Sequence, residues 1–127
     1  MKRHCLILDL KDDEDLITEY KQQHENVWPE IKESILSAGV ERMDIYLLGN
    51  RLFMIMEVSN SFSFEAKAAA DAVNPKVQEW EELMWRYQAP LAQGRPGEKW
   101  LLMDHIFSLA ALEETSDSSI DGPLPVD

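Results

Sequence analysis

The chain predicts an α+β fold with the element order βαββαβ, and three observations carry that prediction. Four short apolar, β-compatible runs lie near 3–10, 41–48, 51–58 and 99–107. Two longer stretches, about 13–37 and 61–88, place apolar residues at helical spacing. The two middle strands are separated only by Gly49-Asn50, a pair that favours a tight hairpin turn. Two helical layers on one face of a four-stranded antiparallel sheet form the ferredoxin-like arrangement.

The first strand, residues 3–10, has an apolar centre of Leu6, Ile7 and Leu8. Asp12 or Asp13 can cap the helix that follows, and Glu14 and Asp15 suit its positive end. Leu16, Tyr20, His24, Val27, Ile31 and Ile35 continue at helical spacing, but Pro29 breaks the run near 26–29 and Gly39 closes it. Alternation on the third strand puts Leu52, Met54, Met56 and Val58 on one face and Phe53 and Ile55 on the other. The second helical stretch divides into Ser61–Ala72 and a helix that Asn74 caps and Pro75 opens. Val77, Trp80, Leu83, Met84 and Tyr87 form its apolar stripe, and Trp85 falls on another face. A Gly/Pro-rich loop at 93–97 leads to the last strand, Lys99–Phe107. In this arrangement the first and last strands are expected not to be neighbours.

The chain has 127 residues, enough for one core, and the expected domain spans 1–109. Residues 110–127 turn polar and acidic and are expected to be a disordered tail. The net charge is −12; five uncompensated acids follow position 112, and −12 less those five leaves −7 for residues 1–112. Such a balance argues against nucleic acid and anionic membranes as partners, since both demand basic patches. No apolar run is long enough to span a bilayer, and the first residues lack a signal-peptide core. The lone cysteine, Cys5, has no internal disulfide partner, which suits a reducing cytoplasm. Both sheet faces carry apolar side chains, so a homodimer packed sheet on sheet is expected.

Tyr20, His24 and Trp28 recur at i, i+4 and i+8, one face of a helix. A phenol, an imidazole and an indole in line can hydrogen-bond, move a proton and stack, which is acid–base chemistry on a small polar ring. The plainer alternative is a half-buried histidine bonded to Tyr20 or to a carbonyl. His4 and His105 are expected at the surface, and no spacing of His and Cys signals a metal. Cys5 lies in an apolar strand with no adjacent base and is expected to be an inert core thiol. Asp104, inside the last strand, is a candidate second base.

The run Tyr20-x-x-x-His24-x-x-x-Trp28-Pro29-Glu30 resembles the L-rhamnose mutarotase family. So do Asp44-Ile-Tyr46, the Leu52–Glu57 strand and Val77-Gln78-Glu79-Trp80, over most of residues 1–109. The resemblance implies a cytoplasmic ferredoxin-like dimer, a dimeric α+β barrel, that interconverts the α and β anomers of a 6-deoxyhexose pyranose without cofactor or metal. It also implies that His24 is the proton donor and that Tyr20 and Trp80 contact the sugar. At two positions the chain departs from the rhamnose-specific pattern. Met43 stands where a substrate-contacting tyrosine is frequent, and Glu81 follows Trp80 where a second tryptophan is frequent. Both belong to the sugar-reading surface, so L-fucose or a related sugar is an alternative to L-rhamnose. Rival expectations are a haem-binding or small-molecule isomerase or monooxygenase of the same barrel type, and a non-enzymatic dimeric binding module.

Overall fold

A computed structural model describes residues 2–109. The expected tail, 110–127, lies outside the described residues. The strands are β1 (Lys2–Leu10), β2 (Val40–Leu48), β3 (Arg51–Val58), β4 (Gln88–Ala89) and β5 (Leu101–Leu102). The helices are α1 (Glu14–Gln23), α2 (Pro29–Ser37), α3 (Phe64–Ala72) and α4 (Pro75–Trp85). The sheet order is β2-β3-β1-β4, and β5 also pairs with β1. The fold is therefore ferredoxin-like, with antiparallel pairing throughout.

Local chemistry explains most boundaries. Asp13 accepts from Asp15 and Leu16 amides and starts α1. Trp28 precedes a proline, so its backbone is extended and the chain restarts as α2 with Pro29 in the first turn. Gly39 ends α2 at φ +102°, and a Cβ there would meet Ser59 Oγ at 2.8 Å. Gly49 turns the β2–β3 hairpin at φ +62° and sets Leu48 opposite Arg51. Asn74 accepts from the Lys76 and Val77 amides and opens α4.

The last part of the sheet departs from expectation. The helical stripe ends at Trp85, so Tyr87 sits just beyond α4, although still buried. The chain then pairs Gln88 with Leu10 before looping out, and returns to pair Leu101 and Leu102 with Ile7 and Leu6. The predicted strand 99–107 shrinks to two residues. Beyond Leu102 the Met103 amide still donates to the Cys5 carbonyl at 2.8 Å, and residues 103–107 lie exposed. Both short strands border β1, which corrects the expectation that first and last strands are apart. Asp104 accordingly lies exposed beyond β5 rather than within a strand. His4 contacts Phe62 and Phe64, while His105 Nε2 donates to the Phe107 carbonyl, so no histidine pair arises.

Leu6, Leu8, Leu10 and the Leu52–Val58 alternation pack beneath the helices, as the period-2 pattern requires. One core cluster joins Leu10, Leu52, Tyr20, Ile31, Val77, Trp80, Met84 and Tyr87. A second gathers Leu6, Val40, Met54, Met56 and Val58, and Ile35, Ile45 and Trp100 touch both. On the opposite sheet face Tyr46, Phe53, Ile7 and Leu101 lie in one cross-strand row. Tyr46 is 58% exposed there. Arg51–Asp9, Arg3–Glu57 and Arg42–Asp44 ion pairs flank that apolar centre.

Candidate active site

α1 brings Tyr20 and His24 together, and α4 supplies Trp80. The Tyr20 and His24 rings lie 4.3 Å apart between centroids, and His24 meets Trp80 edge-on at 5.6 Å. Trp28 is not on a continuous helix with them. It caps α2 and joins the group by packing on Trp80 at 5.1 Å. The helical spacing thus placed Tyr20 and His24 correctly, while Trp28 arrives through a tertiary contact.

His24 occupies the C-cap of α1, where last-turn carbonyls lack helical partners. Its Nδ1 lies 2.9 Å from the Tyr20 carbonyl oxygen. A carbonyl only accepts, so Nδ1 carries the proton and the neutral ring leaves its lone pair on Nε2. Among the described residues no hydrogen bond engages Nε2. Burial pushes the His24 pKa below its usual value, against a smaller upward pull from the Tyr20 carbonyl. At neutral pH the imidazole is therefore a free base held in one tautomer.

Tyr20 is buried, and desolvation raises its phenol to about 12, with the Glu81 carboxylate adding to the rise. The Gln88 side-chain amide opposes the shift by hydrogen-bonding the phenol. Tyr20 thus remains a neutral hydrogen-bonding group at any physiological pH. Gln88 is a site neighbour that the sequence did not single out. It is only 4% exposed, and among the described residues its Oε1 has no hydrogen-bond partner. Leaving such an acceptor unpaired costs about 1–3 kcal/mol. Native chains keep few such atoms. No signal in sequence marked it, since a glutamine after a helix reads as surface.

The remaining predicted residues are placed less closely. Trp80 is 8% exposed and belongs to the core as much as to the site. Glu81 is half-buried, pairs with Lys99 at 2.6 Å and sits near enough to act on the Tyr20 phenol. Met43 packs against the second core cluster, and no described contact joins it to His24. Cys5 is not the core thiol expected, because alternation along β1 puts it partly exposed on the open sheet face; burial still raises its thiol pKa, which keeps it protonated near neutrality. A groove of about 540 Å³ between α2 and the α3–α4 pair contains Ser34, Lys67 and Asp71 but not His24.

Residues 3–109 match the sequence profile of L-rhamnose mutarotase. An L-fucose mutarotase of Xanthomonas campestris pv. campestris is 45% identical over 112 residues, covering 87% of this chain and 90% of that protein. An L-rhamnose mutarotase of Listeria monocytogenes serovar 1/2a is 29% identical over 96 residues, covering 72% and 85%. The crystal structure of an L-rhamnose mutarotase from Formosa agariphila superposes with a TM-score of 0.64 at 21% identity, covering 87% of this chain and 100% of that one. At that identity the likeness establishes the shared fold. The chain belongs to the L-rhamnose mutarotase family, a family of isomerases. That membership does not favour the haem-binding or non-enzymatic alternatives.

Proposed function

We propose that this protein interconverts the α and β anomers of a 6-deoxyhexose pyranose, with L-fucose as its preferred substrate. The observation that carries the proposal is the His24 imidazole, anchored through Nδ1 and unengaged at Nε2, beside a buried phenol and an indole edge. The preference for L-fucose over L-rhamnose rests on the greater similarity to a relative named L-fucose mutarotase. It also rests on Met43 and Glu81 standing at positions of the sugar-reading surface.

In the resting protein His24 is neutral, so Nε2 takes the proton of the anomeric hydroxyl. That oxygen's electron pair forms the aldehyde C=O as the bond from C1 to the ring oxygen breaks. The ring oxygen takes up a proton, from imidazolium or from the Tyr20 side of the pocket, and the open chain rotates about C1–C2. Reclosure on the other face runs the same transfers backwards. Tyr20, held neutral by its high pKa, orients the sugar, and Trp80 offers an apolar edge to the pyranose. No change in oxidation state occurs, so the reaction calls for no redox partner. A well-placed acid–base group contributes about 10²–10⁴-fold.

The biological unit in this proposal is a homodimer that buries the Tyr46–Phe53–Ile7–Leu101 row, and its setting is the cytoplasm, which suits the single free thiol. The test is exchange between the anomeric protons of L-fucose and L-rhamnose, measured by NMR. His24→Ala, shown to be folded, is expected to lose about 10²-fold or more of the catalysed exchange, and Tyr20→Phe to lose less. A His24→Ala variant as fast as the parent would remove the assigned role. Exchange no faster than buffer for every sugar would remove the function.

A further inference from the structure

Gln88 has no part in the proton transfers, yet its position is unusual for a glutamine. β4 exists because residues 88–89 pair with the end of β1, and that pairing puts Gln88 opposite Leu10 on the helix-covered face of the sheet. A carboxamide is thereby carried into a core of Leu10, Tyr20, Trp80 and Tyr87. The amide lies near enough to the Tyr20 phenol to oppose the rise in its pKa. Its Oε1 is closed to bulk water and pairs with nothing among the described residues. Any group that satisfies it must bring a hydrogen-bond donor to the Tyr20 side of the core.

We propose that Gln88 is a specificity-determining residue, whose Oε1 accepts a hydrogen bond from one ring hydroxyl of the sugar while Tyr20 engages the same hydroxyl. A hydroxyl both donates and accepts, so it matches a carboxamide oxygen and a phenol held side by side. The inference rests on the function proposed above and deepens it. A site that pairs a buried polar atom with a substrate hydroxyl rejects an analogue lacking that hydroxyl far more strongly than an apolar pocket does. The residue touches substrate without touching the bond that breaks. Its signature is therefore a preference among sugars, with the proton chemistry left to His24.

The experiment measures anomeric exchange for L-fucose and its 2-, 3- and 4-deoxy analogues, each corrected for its rate in buffer, with the parent and with Gln88→Met. The methionine keeps the length of the side chain and removes both polar atoms, and Gln88→Leu stands in should it fail to fold. The parent is expected to favour L-fucose over one deoxy analogue by about 10–100-fold. The variant is expected to lose most of that ratio while still exchanging the deoxy sugar at near the parent's rate. A parent that treats all the deoxy sugars alike overturns the proposal. So does a variant that slows every sugar by one common factor, because that is the mark of a structural role or of a buried water on Oε1. A parent that exchanges no sugar overturns the mutarotase function itself and this inference with it, so the two failures are distinguishable.

Discussion

The His24 ring makes one hydrogen bond, leaves one nitrogen open, and is partly buried. The Tyr20 carbonyl holds Nδ1–H, burial disfavours the charged ring, and Nε2 stays available. Because burial lowers the folded-state pKa below the ordinary value of about 6.5, the neutral, proton-accepting form persists into mildly acidic solution. The acid limb of the exchange rate is therefore expected below pH 6.5, read from kcat/KM against pH in the NMR assay. The same shift has a stability counterpart with a definite sign. Between the two pKa values the unfolded chain binds more protons than the folded one, so stability falls as pH drops through about 6.5 and levels off below the folded-state value. Tyr20 and His24 were legible in the sequence because neighbours one helical turn apart need only a helix to meet. Gln88 was not legible, since its burial depends on a strand pairing with Leu10 across most of the chain. Met43 shows the opposite limit: its position in the pattern was readable, but the pattern does not say that its side chain packs against the Leu6, Val40, Met54, Met56 and Val58 cluster.

Elements with local signals formed where those signals lay. Asp13, the Trp28-Pro29 break, Gly39, Gly49-Asn50 and Asn74-Pro75 each satisfy or release specific backbone groups within a few residues. α4 deserves a direct check because it presents Trp80 to His24. Asn74→Ala removes the acceptor for the Lys76 and Val77 amides and is expected to cost about 1 kcal/mol, measured by urea denaturation. An unchanged midpoint would mean that water serves those amides equally well. The edge beside β1 was not legible. Residues 99–107 have the composition of a strand, but only Leu101 and Leu102 find register on β1, and Gln88–Ala89 already pairs with Asp9 and Leu10, where the residues before 101 would have continued. Competition between two segments for one edge is settled by three-dimensional packing, which local propensity does not encode.

Across the whole molecule, the period-2 alternation of β3 separates a core face from an open one. The open face has an apolar row capped by ion pairs at both ends, a layout that favours another copy of the same surface over a hydrophobic ligand. Tyr46→Glu, placed in the middle of that row on an exposed side chain, is expected to halve the mass seen by light scattering with little change in circular dichroism. A parent that already runs as a monomer would refute the dimer. The two edges of the sheet are unequal in another respect. β4 and β5 break one rim into a pair of dipeptides separated by a loop, while β2 runs nine residues along the other. Stray chains seeking backbone partners find no continuous template on the broken rim. The burden of keeping this protein from fibrous self-association therefore falls on β2, where Glu41, Arg42 and Asp44 supply the charges that make an uninvited strand unwelcome.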